Sequence, residues 1–142
     1  MDFGVHIPFV ELLGFEMVRF EDGQSELRYL TRPEHTNSFD VAHGGTLMTL
    51  LDVSMATAAR SAQKDMGVVT IEMKTSFMQA ARGLLTARGR LLHRTASMAF
   101  TESTVFDSEG RACCQAMGTF KYVKRQPPGP SGSGARNAIS TD

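Results

Sequence analysis

Asp52 is the residue of this 142-residue chain whose setting most invites chemistry: it is the only ionisable group between Thr46 and Ala59, with Met48 and Met55 as its helical neighbours. A carboxylate in so apolar a stretch costs free energy unless it is paired or put to use. It is either an acid at the edge of a buried face, hydrogen-bonded to a neighbouring element, or a functional acid, since perturbed carboxylates cluster at active sites. Eight residues earlier stands the pair Gly44-Gly45, at the end of the polar run Asn37-Ser38-Phe39-Asp40-Val41-Ala42-His43. A helix that starts there offers free backbone N–H groups and a positive dipole end, and the two glycines admit a ligand close to the main chain. Such a helix start suits an anion or a developing oxyanion.

The elements that must hold these residues follow from periodicity. From Thr46 to about Gln63 the chain lacks Gly and Pro and is apolar at nearly every position, which predicts a buried helix closed by Met66-Gly67. The long polar connection from Thr31 to Ala42, containing Pro33, His35 and Asn37, delivers the chain into it. Upstream, Pro8 to Gly14 predicts a short helix with Pro in its first turn and Gly as terminator. Phe15 to Phe20 and Gln24 to Leu30 predict strands joined by an Asp-Gly turn, with Leu27 and Tyr29 alternating against Glu26 and Arg28. Four further strands are expected at Val68 to Met78, Leu84 to His93, Met98 to Asp107 and Ala112 to Lys124. Val69, Ile71, Met73, Thr75 and Phe77 are expected on one face of the first, while Met98, Phe100, Thr104 and Phe106 mostly share a face of the third. Six strands and one long apolar helix predict an α+β fold, an antiparallel sheet wrapped around one central helix.

Size and composition bound the rest. One core is expected, over residues 1–125, followed by a disordered Pro/Gly/Ser-rich tail over 126–142. The net charge is zero, but residues 1–72 hold eleven acids and five bases, whereas 73–142 hold ten bases and four acids. No acid occurs between Glu72 and Glu102, a span with Lys74, Arg82, Arg88, Arg90 and Arg94. These bases could meet phosphates of a small ligand or form a solvated strand face. Nucleic acid is disfavoured because aromatics are not interleaved with the bases and the chain is neutral. Adjacent Cys113 and Cys114 suit a reduced protein and no metal site. With no leader-like N-terminus and no apolar run of spanning length, a soluble cytoplasmic protein without a membrane association is expected. Ser54, Ser76 and Ser103 lack a Gly-x-Ser-x-Gly setting, which leaves a serine hydrolase unsupported.

Asn37, His43, Gly44, Gly45 and Asp52 form the pattern Asn-x5-His-Gly-Gly-x6-Asp. Over roughly residues 8–124 the chain resembles the hotdog-fold acyl-CoA thioesterases, in particular the branch with the phenylacetate-pathway and hydroxybenzoyl-CoA enzymes. The resemblance implies Asp52 as nucleophile or general base and the Gly44 N–H as the donor that polarises the thioester carbonyl. It implies Asn37 as the amide that places the carbonyl or the water, Thr70 as a hydroxyl that orients water, and His43 as support for the turn. Gly45, Arg82, Arg88, Arg90 and Arg94 are the candidates for holding the substrate, acyl-CoA. Relatives commonly have a Pro where Ala80 and Ala81 stand, next to Arg82. No metal and no organic cofactor is required. A hotdog hydratase or dehydratase using His43 and Asp52, and a non-catalytic acyl-CoA-binding regulator, are the alternatives.

Geometry adds an expectation of its own. Eight residues separate Gly44 and Asp52, about 12 Å along a straight helix. One carbonyl cannot meet both within a single chain, whereas a two-fold axis can place one chain's Asp52 beside the other's Gly44. A homodimer with shared sites is therefore expected, and the resemblance implies pairing of such dimers into tetramers.

Overall fold

The computed structural model describes residues 3–126 and 138–140. Helix α1 spans Pro8–Leu13 and ends at Gly14 in the left-handed conformation, φ 81°. Strands β1, Glu16–Glu21, and β2, Gln24–Leu30, are joined at Asp22 and Gly23, whose φ values of 50° and 75° form the turn that matches strand twist. A 3-10 turn at Pro33–His35 follows, then the central helix α2, Gly44–Ser61. Strands β3, Met66–Phe77; β4, Leu84–Arg94; β5, Met98–Phe106; and β6, Ala112–Gln126, complete the core.

The sheet order β1-β2-β4-β5-β6-β3 explains why α2 is central. Chain neighbours β2 and β3 lie far apart in the sheet, so the segment between them must cross its concave face. That segment is α2, and the antiparallel sheet curls around it in the hotdog arrangement. Leu47, Leu50, Leu51, Met55 and Ala59 of α2 are buried in one cluster with Leu27, Tyr29, Leu85, Val105 and Phe120 of the sheet. Polar pins then fix where the helix sits along its axis. Ser25 Oγ donates to the Ser54 carbonyl at 2.6 Å, Ser54 and Ser103 hydroxyls meet at 2.6 Å, and Tyr122 OH donates to the Ala59 carbonyl at 2.7 Å. At Gly89 the helix comes so near that a Cβ would lie 2.4 Å from the Ser54 carbonyl oxygen. These contacts set the position of Asp52, two residues before Ser54.

One expectation, the face of β3, is corrected by the structure. Ile71 is a bulge residue: Thr70 pairs with Phe120 and Glu72 with Thr119, so the alternation of β3 changes phase. Val68 and Thr70 face α2 before it and Met73, Thr75 and Phe77 after it, so Val69 and Ile71 do not share their face. In β5 Met98, Phe100, Thr104 and Phe106 share a face as expected, and it is the outer one, since Ala99, Thr101, Ser103 and Val105 form the buried side. The expected tail lies mostly outside the described residues, but β6 runs on to Gln126, and Ala138–Ser140 forms a short strand, β7, paired with Lys124, Arg125 and Gln126. Both cysteines are free and buried, and burial pushes the Cys114 thiol up to about 12, which leaves it unreactive. No helix among the described residues is long and apolar enough to cross a membrane.

Candidate active site

The loop ahead of α2 is closed by its own hydrogen bonds. Asn37 N–H donates to the Val41 carbonyl at 2.9 Å, and Asn37 Oδ1 accepts from Phe39 N–H at 2.9 Å and from Val41 N–H at 3.4 Å. The carboxamide oxygen is therefore engaged, and the donor end of Asn37 is what remains for a ligand. His43 caps α2: its Nδ1 accepts from Gly45 N–H at 2.9 Å, which puts the ring hydrogen on Nε2. Its own N–H is held by the His35 carbonyl at 2.9 Å. The Ala81 carbonyl takes Ala42 N–H at 2.9 Å, tying the loop after β3 to the loop before α2 with Ala80 and Ala81 in place of Pro.

Gly44 is the first residue of α2, so its N–H has no acceptor within the helix, and it makes no other bond among the described residues. It faces a groove of about 350 Å³ shared with Asn37, Leu47, Phe77 and the loop from Met78 to Ala81. The Phe77 ring lies 3.5 Å from where a Gly44 Cβ would be, and nothing in the sequence motif pointed to it.

Asp52 lies on another side of the helix. It is half-buried between α2 and β3, and Thr70 Oγ1 donates to its Oδ1 at 2.7 Å. Burial raises its carboxyl above the usual carboxylate range, and the Thr70 hydrogen bond opposes part of that rise. The pair opens into a cavity of about 450 Å³ that is separate from the Asn37–Gly44 groove. The structure thus brings Asp52 to Thr70 and Asn37 to Gly44, and it keeps the two halves apart within one chain.

The basic candidates scatter. Arg88 is bonded to Glu26 at 3.1 Å and Arg90 to Glu102, both on the outer face of the sheet. A bulge at Leu92 turns Arg94 back toward α2, where it donates to the Ala62 carbonyl at 3.1 Å and stacks 4.5 Å over Tyr122. It meets the carbonyl end of the helix, where a cation is favoured. Arg82 is exposed on the loop after β3, near the Asn37–Gly44 groove. Missing from the motif were Arg60 and Arg125, which line the Asp52 cavity. The available signal was Arg60 itself, the first charge after Asp52 on an otherwise apolar helix. No three His, Cys, Asp or Glu side chains converge into a metal-binding group among the described residues.

A half-buried acid with a hydroxyl partner, on a helix whose first N–H is uncommitted, is a constellation for acyl transfer to water. The family model of the thioesterase superfamily matches residues 39–114, and the chain belongs to that superfamily of hotdog-fold hydrolases. A protein of Saccharolobus solfataricus provisionally named an esterase is 26% identical over 116 residues, which span 81% of this chain and 82% of the relative. Among solved structures, a conserved protein of Pseudomonas aeruginosa superposes with a TM-score of 0.80 at 29% identity, covering 84% of this chain and 96% of its own. The PaaI protein of the E. coli phenylacetic acid degradation operon superposes with a TM-score of 0.78 at 17% identity, covering 82% and 85%, a likeness of fold.

Proposed function

We propose that the protein is an acyl-CoA thioesterase whose active site is completed by a two-fold partner. The observation behind this is the split site: Asp52 with Thr70 opens to one cavity and Gly44 with Asn37 to another groove, about 12 Å apart along α2. In the dimer, the thioester carbonyl oxygen accepts from Gly44 N–H of one protomer, with Asn37 Nδ2 beside it, and faces Asp52 of the partner subunit. Asp52 removes a proton from water as the water oxygen bonds to the carbonyl carbon. The negative charge that forms on the carbonyl oxygen lies at the helix N-terminus. Collapse breaks the C–S bond, and the proton passes to the thiolate, which leaves free acid and CoA. Direct attack by the Asp52 carboxylate is the covalent variant of the same geometry. Arg82, exposed beside the groove, is the base placed to meet the CoA phosphates.

Thiol release over a panel of aromatic, short and long acyl-CoAs tests this reading. Hydrolysis of at least one class is expected. Loss of enoyl absorbance without thiol release would indicate a hydratase, and binding without turnover a regulator; either defeats the proposal.

Thr70→Val carries a pH prediction. The Thr70 hydrogen bond lowers the Asp52 pKa, so its loss lets burial raise that pKa further. The acid limb of the kcat/KM profile is expected to move to higher pH, because more alkaline solution is then needed to ionise the base. A profile that drops in height while its acid limb stays fixed would place Thr70 on the water rather than on Asp52.

A further inference from the structure

The cavity beside Asp52 has an unusual far end. Asp52, Ala56 and Arg60 follow one another at helical spacing along the same wall, with small Ala56 leaving space between the two charged residues. Val53, Val68, Val5 and Ile7 make the middle apolar. Arg60 is only 7% exposed. Its Nη2 donates to the Phe3 carbonyl at 3.1 Å, its guanidinium lies 5.4 Å over the Phe20 ring, and its Nε is buried with no acceptor. No carboxylate among the described residues forms an ion pair with Arg60 or Arg125. Burial lowers the Arg60 pKa to about 10, and the like charge of Arg125, half-buried at the same end of the cavity, adds to that fall. Two cations at the end of an apolar cavity, one of them buried with a donor unspent, cost free energy that a bound anion offsets.

We propose that this cavity receives the acyl group and that Arg60, supported by Arg125, selects acyl groups that end in a carboxylate, the monothioesters of dicarboxylic acids. The selection rests on the thioester-hydrolysis reading above, since Asp52 marks the end at which the carbonyl is attacked. A phosphate of CoA offers similar chemistry, but Arg60 is only 7% exposed, held by the Phe3 carbonyl and the Phe20 ring, which favours a short acyl terminus over a nucleotide. A carboxylate at that end pairs with the Arg60 guanidinium and with Arg125, while the chain behind it crosses the apolar middle toward Asp52.

The test uses pairs of non-hydrolysable CoA thioethers of equal chain length, S-carboxyalkyl against S-alkyl, with Kd measured by calorimetry on the full chain. In wild type the carboxylated ligand is expected to bind tighter by about tenfold or more. Arg60→Met and, separately, Arg125→Gln are expected to bring that ratio toward one, and Arg60→Lys to retain part of it. Equal Kd values in wild type would overturn the proposal, as would an Arg60→Met variant that weakens both ligands alike, which assigns the cation to CoA phosphate. Should Arg60→Met fail to fold, the wild-type ratio and Arg125→Gln still decide. Hydrolysis of adipyl-CoA and hexanoyl-CoA runs alongside. A binding preference with no thiol released from these esters or from any acyl-CoA of the panel above refutes the hydrolase and leaves the anion pocket standing; hydrolysis of both at one rate with equal binding refutes only the pocket.

Discussion

Asp52→Asn is expected to lower kcat by a factor of about 10³–10⁴, a loss of roughly 4–5.5 kcal/mol of transition-state stabilisation. The amide keeps the volume of the acid and can still accept from Thr70 Oγ1, so the contact at 2.7 Å survives while the base or nucleophile is lost. Stability should move the other way. Burial raises the folded-state pKa of Asp52 above its unfolded value, so between those values the native state binds more protons. Folding stability therefore falls as pH rises through that window, and at neutral pH the ionised acid is a burden on the native state. Removing it is expected to leave Tm at neutral pH equal to wild type or higher, with the difference closing in acid. Thermal unfolding of both proteins across pH, beside steady-state rates, checks the two halves together. More than a tenth of wild-type rate in the variant would remove Asp52 from the chemistry. A sharp fall in Tm would make it a structural acid instead.

The same sequence that hides part of the site displays most of the fold. Leu47, Leu50, Leu51 and Met55 announce a helix with a wide apolar surface, and the long α2 that crosses the sheet follows from it. Asp22-Gly23 and Gly14 mark their turns because few residues adopt a positive φ without strain. Bulges leave no such mark. Ile71 and Leu92 are ordinary strand residues, and each shifts the phase of everything after it: Phe77 comes to Gly44 by one shift and Arg94 to the end of α2 by the other. Ion pairing across strands is equally silent in one dimension. A run of bases without acids looks like a phosphate site, yet Arg88 and Arg90 have partners in Glu26 and Glu102, far away in sequence or on the next strand. Arg60 shows the converse. In the sequence it is a cation in the last turn of a helix, a place where cations are common. Only the folded chain shows that it is buried and turned to the Asp52 cavity.

Gly44→Pro is expected to remove about 10²–10³ in kcat through a single hydrogen atom. Proline is well tolerated at the first position of a helix, because it needs no N–H there and its φ is already helical. Its neighbour allows it as well: His43 sits at φ −62° and ψ 140°, the extended conformation that a residue before proline prefers. The added Cβ meets Phe77 at an ordinary 3.5 Å. Gly44→Ala is the control, since it adds the same Cβ and keeps the donor, and it should retain most of the activity. With the two variants in hand, the shared site becomes a counting problem. Gly44→Pro subunits unfolded and refolded with an equal amount of Asp52→Asn subunits pair at random, so half of the dimers are mixed. Each mixed dimer holds one site with the donor and the acid both intact, and one with neither. About a quarter of wild-type activity should return, from two proteins that are nearly inactive alone. If mixed dimers form, as mass spectrometry can establish, and no activity returns, donor and acid serve the same site from the same chain. A straight α2 forbids that over eight residues, so such a result would refute the proposed mechanism along with the two-fold arrangement.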